Sequence, residues 1–145
     1  MKGKLFIVAT PIGNLNDITY RAIETLKNVD IVLAEDTRHS KKLFVHFKIP
    51  TPLKAFHEHN EREKTESIIS ELNSGISFAL ISDAGTPLIS DPGYFLVSHA
   101  KKEGIEVVPI PGPSAIITAL SASGLASNSF SFFGFLPSKK IARIK

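Results

Sequence analysis

The sequence predicts an α/β fold, a five-stranded mainly parallel sheet with helices on both faces. Three observations predict it. Five short apolar runs lack the strict alternation of half-exposed strands, as strands covered on both faces do. The runs recur at intervals of roughly 22 to 27 residues, the length of a strand plus a crossover helix. The gaps between them carry helix signals.

In order, the runs are Leu5–Ala9, Ile31–Ala34, Leu53–Phe56, Phe78–Ile81 and Ile105–Ile110. After the second come Leu43, Phe44 and Phe47, the apolar side of a helix. Before the fourth, Thr65, Ile68, Ile69 and Leu72 form an i, i+3, i+4, i+7 stripe. Asn60 followed by Glu63 resembles a capping box, and Gly75 stands where a C-terminal glycine ends that helix. Asp91-Pro92 offers an N-cap and a first-turn proline, and Gly104 closes the helix that follows. Pro113 and Gly124 bracket a last helix carrying Ile116, Ile117 and Leu120.

With 145 residues the chain suits one domain better than two. A hydrophobic fraction of 43% and a charged fraction of 21% exclude a disordered chain and fit a soluble globular one. The sequence has no cysteine, so a disulfide scaffold is excluded and a reducing cytoplasm is the expected location. No apolar run approaches the ~20 residues of a membrane span, and the N-terminal run reads as a strand, not a leader. The register changes after Gly124. Residues 1–124 read as a ligand-binding α/β domain, and 125–145 as a linker and the first strand of a second domain.

The net charge of +3 is mild, but its distribution is uneven. Between Arg38 and Lys64 stand seven Lys/Arg against three acids, with four of the five histidines. Lys139, Lys140, Arg143 and Lys145 form a second basic cluster. Such patches suit polyanions, and they equally suit a solvated face and a frayed tail.

In an open parallel sheet, ligands bind beyond the carboxyl ends of the strands. The loop after the first run, Thr10 to Leu15, lacks the glycine fingerprint of dinucleotide sites, and the chain has no Walker motif. After the fourth run, Ser82 to Gly93 is a long loop of small residues and turn formers with two carboxylates. Small side chains let a ligand approach the backbone, and Asp83 stands ready to accept bonds from a hydroxyl or amine. Asp91 reads as a helix cap. After the fifth run, prolines stiffen the turn, and Ser114 and Ala115 open a helix whose first amides are free. No metal-ligand spacing is present.

Five motifs carry a resemblance: TPIGNLNDIT at 10–19, AEDTRHSKKL at 34–43, FHEHNE at 56–61, SDAGTPLISDPG at 82–93 and PGPSA at 111–115. In this order and register they resemble the ribosomal RNA small subunit methyltransferase I family, a branch of the tetrapyrrole methylase superfamily. The likeness runs from Lys4 to about Pro137. It implies S-adenosyl-L-methionine as cofactor and 2′-O-methylation of a cytidine ribose in small-subunit rRNA. It implies two α/β domains with the cofactor in the cleft between them, and a homodimer. Its cofactor contacts would fall at Pro11, at Asp83 and Thr86, and at Ser114 and Ala115.

For that reaction a ribose hydroxyl attacks a sulfonium methyl in line, so the protein mainly positions the partners. A base would help. The candidates are Asp36, His57 and Glu58, all past strand ends. Two of them have a plainer reading: Asp36 or Thr37 as a helix cap, and His57, like His59, as a solvated loop residue. Arg38, Lys41 and Lys42 suit phosphate contacts to rRNA or the 30S subunit. Phe56 suits either base stacking or the core. Three other readings compete. One is a tetrapyrrole methyltransferase, disfavoured by Ser82-Asp83-Ala84 in place of a G-D-P-type loop. Another is a fragment that keeps the fold without activity. The last is a nucleotide-binding oxidoreductase, disfavoured by the missing glycines.

Overall fold

A computed structural model describes residues 1–137 and 139. Lys140, Arg143 and Lys145 of the second basic cluster therefore lie outside the described residues.

Five strands form one sheet: β1 (Leu5–Val8), β2 (Ile31–Ala34), β3 (Leu53–Ala55), β4 (Phe78–Ile81) and β5 (Val107–Ile110). Their order is β3-β2-β4-β1-β5, and every pairing is parallel. Side chains of successive strand residues point to opposite faces, so each apolar run feeds two cores. On one face Val8, Val32, Ala34, Ala79, Ile81 and Ile110 meet α1 (Tyr20–Asn28) and α2 (Thr37–His46). On the other, Leu5, Leu33, Phe78 and Leu80 meet α3 (Glu61–Asn73) and α4 (Tyr94–Lys102). This double coverage is why the strands read as continuous apolar runs.

The helix boundaries follow from local chemistry, though not always from the residues the sequence suggests. Thr19 caps α1, its hydroxyl accepting from Ala22 N at 3.1 Å. Asp36 caps α2 by accepting from Arg38 N at 2.8 Å. Beyond α3, Gly75 N donates to Leu72 O and Ile76 N to Glu71 O, both at 3.1 Å; the same paired bonds follow α4 at Gly104 and Ile105.

The capping box at Asn60 does not form. Its amide turns back instead: Oδ1 accepts from His57 N at 2.9 Å, and Nδ2 lies 3.0 Å from His57 Nε2. Nor does Asp91 cap α4. The cap residue is Gly93, and the buried Glu61 of α3 reaches across, its Oε1 accepting from Gly93 N at 3.0 Å and Phe95 N at 2.9 Å. A carboxylate from a neighbouring helix satisfies the donors that Asp91 was expected to serve.

The last helix, α5 (Ala115–Ala122), differs from the rest. It has no buried residue, so Ile116, Ile117 and Leu120 do not join the core. Residues 125–137 contain no strand among the described residues, because no neighbouring strand pairs with them.

Candidate functional site

The topology creates a crevice. From β1 the chain passes to α1 on one face of the sheet; from the adjacent β4 it passes to α4 on the other. Neighbouring strands whose following loops diverge to opposite faces mark a switch point, where open α/β sheets bind ligands.

Three loops converge there. Thr10 and Gly85 form an isolated antiparallel bridge, with N–H to O distances of 2.9 and 3.0 Å in the two directions. Thr10 Oγ1 donates to Ser82 O at 3.1 Å, sewing the first loop to the start of the second. Thr86 Oγ1 donates to Pro113 O at 3.3 Å, joining the second loop to the third. Gly112 presses on the end of β1 so closely that a Cβ there would stand 2.9 Å from the Ala9 Cβ. The turns at Pro11, Asp83 and Ser114 therefore share one rim.

The bridge divides this rim into two hollows. One, of about 410 Å³, is lined by Pro11, Gly13, His39, Lys42, Asp83 and others. The second, of about 690 Å³, is lined by Thr86, Asp91, Ser114 and Ala115, with Phe130, Phe132 and Phe135 along its outer wall. Ile12 and Ala84 line both. The five residues expected around a cofactor are thus brought together, distributed over two adjoining hollows and not one slot. Both volumes lie in the range of small-molecule sites, ~300–1,000 Å³.

The Ser82–Gly93 loop carries backbone strain. Leu88 and Ser90 hold φ values of 72° and 67°, in the left-handed region that non-glycine residues rarely adopt. Strain of this kind persists where the surroundings over-determine the backbone, and it clusters at ligand sites.

Asp83 has a partner that its sequence context does not reveal: Oδ1 accepts from Asp36 N at 3.2 Å, tying the β4 loop to the β2 turn. Of the candidate bases, Asp36 is committed to its cap, and the backbone N–H of Arg38 holds its carboxyl below the ordinary range, with His39 adding to this. That makes it a poor proton acceptor. His57 is not a free loop residue. Asn60 holds Nε2, and Nδ1 is buried with no partner among the described residues. Glu58 is exposed. Phe56 is fully buried in the α3/α4 core, which settles its role as packing.

Two other carboxylates emerge at the rim. Burial pushes Glu35 above the ordinary range, reinforced by the charges of Asp83 and Asp91. Burial likewise pushes Asp91 up, partly offset by the Ser82 hydroxyl, with the charge of Asp83 adding to the rise. The signal for Glu35 was present: it follows the β2 edge by one residue, just as Ser82 follows that of β4. Of the carboxylates here, Asp83 lines the smaller hollow and Asp91 the larger, so each can face a cationic group such as a sulfonium or ammonium, and the small residues around them leave it room. The rim therefore fits S-adenosyl-L-methionine.

Arg38, Lys41 and Lys42 do not share one surface. Lys42 lines the smaller hollow, whereas Arg38 and Lys41 line a separate groove around the corner of α2. Among the described residues, no group of three or more His, Cys, Asp or Glu is placed to hold a metal ion, and no helix is long and apolar enough to cross a membrane.

A family model described as Tetrapyrrole (Corrin/Porphyrin) Methylases matches residues 4–138. The chain is 60% identical over 139 residues to the ribosomal RNA small subunit methyltransferase I of Vibrio cholerae, covering 96% of this chain and 48% of that protein. To the protein of the same name from Pseudomonas aeruginosa it is 62% identical over 141 residues, 97% of this chain and 50% of that one. It thus spans about half the length of the curated relatives it matches. Among solved structures, uroporphyrin-III-C-methyltransferase from Thermus thermophilus superposes with a TM-score of 0.66 at 24% identity, covering 87% of this chain and 55% of that chain. A conserved hypothetical protein from Aeropyrum pernix K1 gives 0.70 at 19%, covering 90% and 46%. At such identities these two likenesses concern the fold.

Proposed function

Since the chain belongs to the tetrapyrrole methylase family, we propose that it forms the cofactor-binding half of an S-adenosyl-L-methionine-dependent methyltransferase that 2′-O-methylates a cytidine ribose in small-subunit rRNA. One observation carries the reading: the Thr10–Gly85 bridge and the Thr86–Pro113 bond gather three loops of small residues at the β1/β4 switch point. The shared name of the curated relatives supports rRNA as the substrate class.

When bound, S-adenosyl-L-methionine supplies a methyl group already activated by its sulfonium charge. Pro11, Asp83, Thr86, Ser114 and Ala115 would hold it across the two hollows, with backbone groups of the small residues making the polar contacts. Asp91 lines the larger hollow, and burial raises its affinity for a proton, which suits it better than the cap-bound Asp36 to take the ribose hydroxyl's proton. Lys42, beside the smaller hollow, would meet a phosphate of the RNA. Residues 125–145 would lead into a second domain forming the other wall of the cleft, in a cytoplasmic homodimer acting on the 30S subunit.

The test is methyl transfer from labelled S-adenosyl-L-methionine to unmethylated 30S subunits, followed by nucleoside analysis. Label recovered as 2′-O-methylcytidine supports the reading. Label on uroporphyrinogen and none on 30S subunits would replace it with tetrapyrrole methylation.

A further inference from the structure

The groove beside α2 carries Arg38 and Lys41, which the sequence suggests as phosphate contacts, and it lies apart from the two hollows. Of about 730 Å³, it is lined by α2, the turn after it and the edge strand β3. Its floor is apolar: Phe44 and Ile49 are buried and Leu53 is half-buried, while Val45 and Pro50 stand exposed on its walls. Arg38, Lys41 and Lys48 stand on its rim, and no carboxylate lines it. Lys41 and Lys48 form no ion pair among the described residues. Arg38 has only a loose one, 3.7 Å to Asp36, with its own side chain 94% exposed. Exposed pairs of that kind hold a side chain weakly.

Lys48 is the telling residue. It ends α2 at φ 51°, with Lys48 N donating to Val45 O and Ile49 N to Phe44 O. This is the position where a glycine ends α3 and α4. An L side chain there strains the backbone, and a glycine would fold more easily. A cation is nonetheless held at the mouth of a groove that already carries two others.

We propose that this groove seats a single-stranded RNA segment flanking the methylated nucleotide, with phosphates on Arg38, Lys41 and Lys48 and an unstacked base against the apolar floor. The inference rests on the rRNA reading and extends it. Lys42 faces the cofactor rim from the same helix whose next face carries Arg38 and Lys41, so one strand could cross α2 from hollow to groove. Three cations around a groove that no carboxylate lines, only one of them in a loose ion pair, match a phosphate chain. An apolar floor matches bases that duplex RNA would keep stacked.

The test uses a labelled single-stranded oligoribonucleotide of mixed sequence, titrated into the protein over a range of salt concentrations. Each phosphate contact on a single strand contributes about 0.7 to the slope of log affinity against log salt. Lys48→Gly should lower that slope by ~0.7 and weaken binding, while raising Tm because the backbone strain is relieved. The triple change of Arg38, Lys41 and Lys48 to Ala should lower the slope by about 2 and leave affinity for S-adenosylhomocysteine unchanged. Wild-type binding with the slope unaltered in both variants would overturn the groove alone. Absence of RNA binding by the wild type would overturn the rRNA reading with it. Duplex RNA bound as tightly as the single strand, with the same slope losses, would overturn the single-strand claim.

Discussion

Helices α3 and α5 make an instructive pair. The sequence of α3 is mostly polar, yet Glu61, Thr65, Ile68 and Leu72 are buried against the sheet and α4. The sequence of α5, Ala-Ile-Ile-Thr-Ala-Leu-Ser-Ala, is far more apolar, and none of it is buried. The contrast extends along the chain. Residues 5–110 enclose two cores, whereas Leu125, Phe130, Phe132, Phe133, Phe135 and Leu136 all stand exposed. Apolar content therefore does not decide burial; an opposing surface does. Contiguous exposed apolar groups, some of them walling the larger hollow, are the signature of a contact face.

The largest test of this contrast is a pair of truncations followed by urea unfolding. Phe78→Ala removes a fully buried ring and should cost ~3–5 kcal/mol. Ile117→Ala, on the exposed side of α5, should stay within ~0.5 kcal/mol of wild type. Comparable losses at the two sites would break the comparison.

A smaller effect is expected where α4 borrows its cap. Neither α4 nor α5 has a side-chain cap from its own N-cap residue, but α4 receives Glu61. Glu61→Ala would leave the Gly93 and Phe95 N–H groups unpaired in a mostly buried setting, costing ~1–3 kcal/mol. Hydrogen exchange should show the first turn of α4 opening as readily as that of α5. Unchanged protection there would remove Glu61 from the account.

The smallest effect lies within the first region, just past the end of β2. Glu35 has its folded-state pKa raised, chiefly by burial and then by Asp83 and Asp91, so the native state holds its proton more tightly than the unfolded chain. Stability from this group is fully present below the unfolded value near ~pH 4 and is lost as pH rises through the folded one. Glu35→Gln should therefore raise Tm modestly at neutral pH and leave it unchanged near ~pH 4. A gain of equal size at both pH values would point to packing instead.

Much of the sheet was legible because strand runs covered on both faces leave a local trace. Ile31–Ala34 and Phe78–Ile81 coincide with β2 and β4 to the residue. Gly75 and Gly104 marked helix ends for the same reason, since the turn chemistry is contained in a few neighbouring residues. What depended on distant partners was not legible. Asn60 and Asp91 looked like caps, yet a bond within the β3 turn claimed one and Glu61, 32 residues from Gly93, displaced the other. Ile116, Ile117 and Leu120 marked α5 as a helix, but whether they would be buried depended on an opposing surface, and among the described residues none of α5 is buried. The rim loops were legible as loops of small residues at strand ends. Their division by the Thr10–Gly85 bridge, and the raised pKa values of Glu35 and Asp91, arise only once strands far apart in sequence lie side by side.

The central claim is that the rim past β1, β4 and β5 holds the methyl donor. Titrating the isotope-labelled protein with S-adenosylhomocysteine and following backbone amide resonances tests it most directly. Saturable shifts should concentrate at Ile12, Gly13, Ala84, Gly85, Thr86, Ser114 and Ala115. Saturable shifts confined to the opposite end of the sheet, around Gly3, Asp30 and Ser77, would contradict it.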